Sequence, residues 1–186
     1  MNSSSTLLSL ILVLACSSVW GMSRVHGGGL ENIRFYMYET AAGNPDATVF
    51  DVLPPLQGGN TTFGIIRMFD NVLGDGPDPS ISTLLGRFQG FIDFTGIGSL
   101  QGKQSVVAFV FTSGDYSGST LVISGIVQMI DGAIERPIVG GTGVFRMARG
   151  YSLVTYSWNP TTVTTVYEVN LFVELETVNL LVKADS

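Results

Sequence analysis

The chain has a single cysteine, Cys16, and a single histidine, His26, among 186 residues. That scarcity excludes Ser/His/Asp and Cys/His catalysis by the usual constellations, cysteine-rich zinc sites and any internal disulfide. Copper and haem centres lack ligands for the same reason, so no cofactor or metal is expected. Charge is also scarce, at 13% of residues. Nine Lys plus Arg against fifteen Asp plus Glu leave a net charge of −6, which argues against nucleic acid and against an anionic membrane surface. No stretch of helical period has useful length, and no Pro-rich linker divides the chain. What remains for chemistry is carboxylate, Arg, Tyr and a shaped cavity.

A content of 45% hydrophobic residues is ample for one buried domain and rules out disorder. The first 21 residues carry no charge, and the apolar run Leu7 to Ala15 is too short to cross a bilayer. This segment reads as a secretory signal peptide cleaved after Gly21, although Leu14, Ala15 and Cys16 also fit a bacterial lipoprotein signal. The domain organisation expected is therefore a signal peptide at 1–21 and a single domain at 22–186. Asn60, Thr61 and Thr62 form a glycosylation sequon flanked by Gly58 and Gly59, whereas Asn159 is followed by Pro160 and is excluded. His26, beside Gly27, Gly28 and Gly29, is given no role.

The rest is punctuated by the 23 glycines into runs rich in Val, Ile, Phe, Tyr and Thr. Strands are expected at 33–40, 63–70, 86–95, 105–112, 119–125, 144–158 and 163–176, with an irregular loop at 73–80. Seven or eight strands joined by turns make an antiparallel barrel or sandwich. The turn Gly114 to Gly118 predicts a hairpin. In Val106 to Phe111 both faces are apolar, which fits a barrel with a covered outer face or an ordinary sandwich core. Gly140, Gly141 and Gly143 superficially suggest a phosphate loop, but no Lys follows and no helix opens there; tight backbone geometry at a barrel corner is the better reading.

Several spaced segments resemble one plant family, the dirigent proteins. Pro137 to Tyr151 is similar at nearly every position to the family run Pro-Val-Val-Gly-Gly-Thr-Gly-x-Phe-x-x-Ala-Arg-Gly-Tyr. Gly86 to Gly90 resembles Gly-Arg-Ala-Gln-Gly, Phe35 to Glu39 resembles Phe-Tyr-Met-His-Asp, and Gly76 to Ser80 fits the loop after the third strand. The resemblance spans essentially the whole of 22–186. It implies an all-β fold, an eight-stranded antiparallel barrel, secreted to the apoplast or cell wall and assembled as a homo-oligomer, a dimer or trimer. It further implies a protein without its own oxidase. Such a protein binds phenoxy radicals or quinone methides that a separate laccase or peroxidase makes from phenylpropanoids, and it selects one coupling or cyclisation geometry.

Carried over one residue at a time, the family's first-strand Asp matches Glu39, an acid/base candidate whose pKa burial would raise. The second family acid falls at Val127, where the polar group is lost. The family Arg falls at Ile134, and the sequence offers Glu135 and then Arg136 instead. Two places along a strand is about 7 Å, so Arg136 is expected to reach the cavity only with help from a bulge. With that help, Arg136 joins Glu39 as the catalytic pair. Ile92 and Phe94 stand where lignan-forming members carry Tyr, and Met37 completes the pocket candidates. Asp131 is a reserve acid on a loop. The pocket is thus more apolar than the family pattern. Two other readings stay open: a non-catalytic phenolic-binding or wall barrel, and an isomerase of the allene-oxide-cyclase type, whose barrel is similar.

Overall fold

The computed structural model describes residues 29–54, 62–96 and 102–175. The segment 1–21 and the Asn60 sequon lie outside the described residues. Ten strands form: β1 Glu31–Thr40, β2 Val49–Leu53, β3 Ile66–Gly74, β4 Leu84–Phe94, β5 Lys103–Phe111, β6 Thr120–Ile126, β7 Met129–Ile130, β8 Ala133–Thr142, β9 Arg149–Trp158 and β10 Thr164–Glu174. The order β1-β10-β9-β8-β6-β5-β4-β3 returns to β1, with β2 attached to β3 and β7 to β8. Removing those two attachments from ten leaves a closed ring of eight antiparallel strands. Closure removes the unpaired edges that make open sheets prone to association, and eight strands enclose a space that side chains can just fill.

The ring closes over a narrow seam in which only Tyr36, Met37 and Tyr38 of β1 face Gly74, Leu73 and Val72 of β3. Two devices reinforce it. The loop after β3 folds back over the outside of β1, where Tyr38 donates its phenol proton to the Gly76 carbonyl at 2.7 Å and Trp158 Nε1 donates to the Pro77 carbonyl at 3.0 Å. Where β1 and β3 part, Thr48 bridges them: its amide donates to Thr40 O at 3.0 Å and its carbonyl accepts from the Asp70 amide at 2.8 Å.

Alternation decides what lies inside. Residues directly opposite across each ladder share a face, so register traces continuous inward rows such as Leu73, Gly86 and Phe111, or Asn71, Phe88, Phe109 and Leu121. At the end where β1 begins, the lumen is filled by aromatic rings. Phe35 meets Phe109 and Phe111 edge-on at 5.4 and 5.7 Å, and Phe145 and Tyr116 cap the stack at 5.6 and 5.2 Å. Fully burying one such side chain contributes roughly 1.5–3 kcal/mol, and ring pairs in these geometries add about 0.5–1.5 kcal/mol.

Several expectations change here. The run 144–158 is not one strand: Gly143–Phe145 is a 3-10 turn that reverses the chain, and β9 begins at Arg149. The reversal needs Gly143, at φ 62°, because a side chain there would strike Ser119, and Gly141, because one there would strike Thr120 O and Phe145. The corner reading of these glycines therefore holds. β8 was missed because Pro137 and paired glycines mimic a loop, and β2 because its five residues show little alternation. The strand before the 73–80 loop runs on to Gly74, eight residues beyond Ile66. The hairpin at Gly114 to Gly118 joins β5 and β6 as expected.

Candidate active site

The other end of the lumen is polar. Glu39, next to the end of β1, continues the inward row of Ile33, Phe35 and Met37, and the β1–β3 register extended by one step brings it opposite Asn71. Asn71 is fully buried and its orientation is determined by its neighbours. The Thr40 amide donates to Thr48 Oγ1 at 2.9 Å, which leaves the Thr48 hydroxyl proton to Asn71 Oδ1 at 2.6 Å. Asn71 Nδ2 therefore points at Glu39 Oε2 at 3.3 Å, with Met37 Sδ at 3.5 Å. Burial pushes the Glu39 carboxyl above its ordinary range; the Asn71 hydrogen bond and the Arg67 charge oppose this more weakly. The result is a positioned carboxyl that holds a proton more readily than one in water.

Arg136 enters from β8. β8 carries a bulge, with Val139 the extra residue against the Val122–Ile123 step of β6. Arg136 precedes it, on the same face as Ile134 and Ile138 where the β8–β9 register is regular, and it reaches the lumen. Its side chain crosses the barrel: Nη1 donates to Ser105 Oγ on β5 at 3.2 Å, and the guanidinium lies 5.9 Å from the centre of the Phe88 ring on β4. Ser105 and Ser152, both fully buried, stand on the inward rows beside it and leave the volume it occupies. Loss of water alone pulls its pKa down to about 10, which still leaves it charged at neutral pH. Phe88 is directly opposite Asn71, so Glu39 and Arg136 both bear on one level of the lumen.

The other sequence candidates fall as follows. Met37 is buried beside Asn71. Ile92 is half-buried on the inward row between Arg67 and Ser105, and Phe94 is buried beneath two cations, with Arg67 Cζ 5.5 Å and Lys103 Nζ 5.2 Å from its ring centre. Val127 lies past the end of β6 at the rim, half-buried, its amide donating to the Lys103 carbonyl at 2.8 Å. Asp131 is exposed in the β7–β8 turn at φ 51°, and Glu135 points outward. Neither joins Glu39 and Arg136.

Sequence reasoning missed Arg67, Asn71, Lys103, Ser105, Ser152 and Tyr167. Arg67 is held by Asp51 of β2 through two hydrogen bonds, at 2.6 and 3.0 Å. Tyr167 faces the lumen opposite Met37, and burial, followed by the Glu39 charge, pushes its phenol to about 12. It supplies a hydroxyl that Ile92 and Phe94 do not. The available signal was strand period: Arg67, Phe69, Asn71 and Leu73 alternate, but the strand expected at 63–70 stops one residue short of Asn71.

Among the described residues no group of three or more His, Cys, Asp or Glu side chains stands close enough to hold a metal ion. The family model for dirigent-like proteins matches residues 30–174. Dirigent protein 1 of Arabidopsis thaliana is 36% identical over 153 residues, covering 79% of this chain and 83% of its own length. Pterocarpan synthase 1 of Glycyrrhiza echinata is 33% identical, with 76% of each chain covered. A solved pterocarpan synthase dirigent protein superposes with a TM-score of 0.65 at 32% identity, over 77% of this chain and 83% of that one.

Proposed function

Because the chain belongs to the dirigent family, we propose that it imposes stereochemistry on a phenylpropanoid-derived intermediate, a phenoxy radical or quinone methide, generated by a separate laccase or peroxidase. The observation that carries this reading is a carboxyl in the barrel lumen, Glu39, mostly withdrawn from water and oriented by Asn71. In a quinone methide cyclisation Glu39 takes the proton of the attacking hydroxyl as its oxygen bonds to the methide carbon. It returns a proton to the ring oxygen as aromaticity is restored, so no proton is gained or lost overall. The aromatic stack below and the polar groups above let a flat phenolic ring enter in few orientations, which converts an unselective encounter into one geometry.

The uncharged 1–21 segment supports secretion, and with it an apoplastic or wall location. The outer face supports a homo-oligomer. Phe50, Met68, Phe91 and Val106 lie side by side across β2 to β5, at 50%, 45%, 36% and 41% exposure. A row of this kind fits a partner copy better than water.

The test is a coupling assay with laccase and either coniferyl alcohol or ferulate, with enantiomeric excess read by chiral chromatography. The expected result is an excess with at least one substrate, which Glu39→Gln abolishes. Racemic product from both substrates with the native protein would overturn the reading in favour of a barrel that only binds.

A further inference from the structure

Arg136 is anomalous in its own surroundings. Its residue is 3% exposed, yet its hydrogen bond is to a neutral hydroxyl, Ser105 Oγ, which in turn donates to the Gly125 carbonyl at 3.2 Å. Its Nε is buried and donates to nothing among the described residues. Among the described residues no acidic side chain pairs with it: Glu135 points outward and Glu39 is engaged by Asn71. Buried guanidinium groups are normally paired, since an isolated charge away from water is costly. The Nε edge of the guanidinium, which carries this unbonded N–H, is the edge that takes a carboxylate through two parallel hydrogen bonds. Phe88 beside it offers an aromatic face at 5.9 Å.

We propose that Arg136 is a specificity-determining anchor for a carboxylate, so that the barrel prefers phenylpropanoid acids of the hydroxycinnamate class to the corresponding neutral alcohols. The carboxylate docks on the Nε edge, and the aromatic ring extends over Phe88 toward Asn71 and Glu39. This rests on the phenylpropanoid reading above and refines its substrate class. The low cationic content of the chain makes the placement more telling, since with only nine Lys plus Arg in total one lies inside the barrel with no acidic partner among the described residues.

The test is calorimetric binding of p-coumarate and p-coumaryl alcohol to the native protein and to Arg136→Met and Arg136→Lys. A tenfold or greater preference for the acid is expected in the native protein. Arg136→Met should abolish that preference, weakening acid binding far more than alcohol binding, and Arg136→Lys should restore part of it, because a point charge replaces a bidentate fork. Equal binding of acid and alcohol by the native protein would overturn the anchor while leaving the stereochemical role standing. So would a preference that survives in Arg136→Met. The native comparison stands even if a variant fails to fold. Loss of binding to both compounds, with racemic coupling products, would instead bring down the phenylpropanoid reading on which the anchor rests.

Discussion

The two ends of the barrel are built from the same eight strands with the same inward alternation, yet one is a plug and the other a site. At the plug, Phe35, Phe109, Phe111 and Phe145 are at most 3% exposed and pack ring against ring. At the site, Ser105, Ser152 and Asn71 replace large apolar groups on the same rows, and Glu39 and Arg136 occupy the space that results. The difference is therefore one of side-chain volume and polarity at a given level, not of backbone. A rigid apolar end tolerates the energetic cost of poorly paired polar groups at the other.

The comparison is broken most directly at the plug. Phe109→Ala removes a fully buried ring in contact with Phe35 and Phe88 and is expected to cost about 3–5 kcal/mol by denaturant titration; a loss below about 1 kcal/mol would mean that this end is not the stabilising one. At the site the signs reverse. Glu39→Gln is expected to lower the stereo-directing rate about 100- to 10,000-fold, the usual range for a general acid or base, measured as product enantiomers formed per unit time. The same substitution should raise the melting temperature near neutral pH. Burial lifts the folded-state pKa of Glu39 above its unfolded value, so the ionised form is penalised in the native state. That penalty is complete above the folded pKa and vanishes below the unfolded value of about 4.3. Melting curves at about pH 7 and about pH 3 should therefore show a gain at the first and none at the second.

Arg136→Met sharpens the contrast further. Replacing an unpaired buried cation by a flexible apolar chain is expected to stabilise the fold by about 1 kcal/mol or more, read from denaturant midpoints. A destabilisation would show that the guanidinium has a partner in the native state. The smallest effect belongs to the rim. Arg67 and Asp51 are each about 40% exposed in their side chains, so Asp51→Asn should cost less than about 1 kcal/mol, and added salt should shrink even that.

Much of this was legible in the residues. Gly and β-branched runs announced strands, the Gly114 to Gly118 turn announced its hairpin, and the Pro137 to Tyr151 segment carried the family resemblance. The candidate acid Glu39 was found by position in its motif. Asn71 was not, because what selects it is Thr48, a residue 23 positions away that is brought to it only when β1 and β3 meet. Arg136 was found, but the place of the bulge in its strand, at Val139, was not, since register is a property of two strands and not of one.

By itself, then, the sequence determined the class of the fold, the absence of the usual thiol and imidazole chemistry, and the inward or outward face of residues within a strand, because these follow from composition and a period of two. Which residues share a level of the lumen was decided by tertiary structure alone. Levels depend on how eight strands are staggered around a closed ring, and that stagger is determined by pairing between segments distant in the chain. It is what places the carboxyl of Glu39 and the unpaired guanidinium of Arg136 on either side of Phe88 and Asn71.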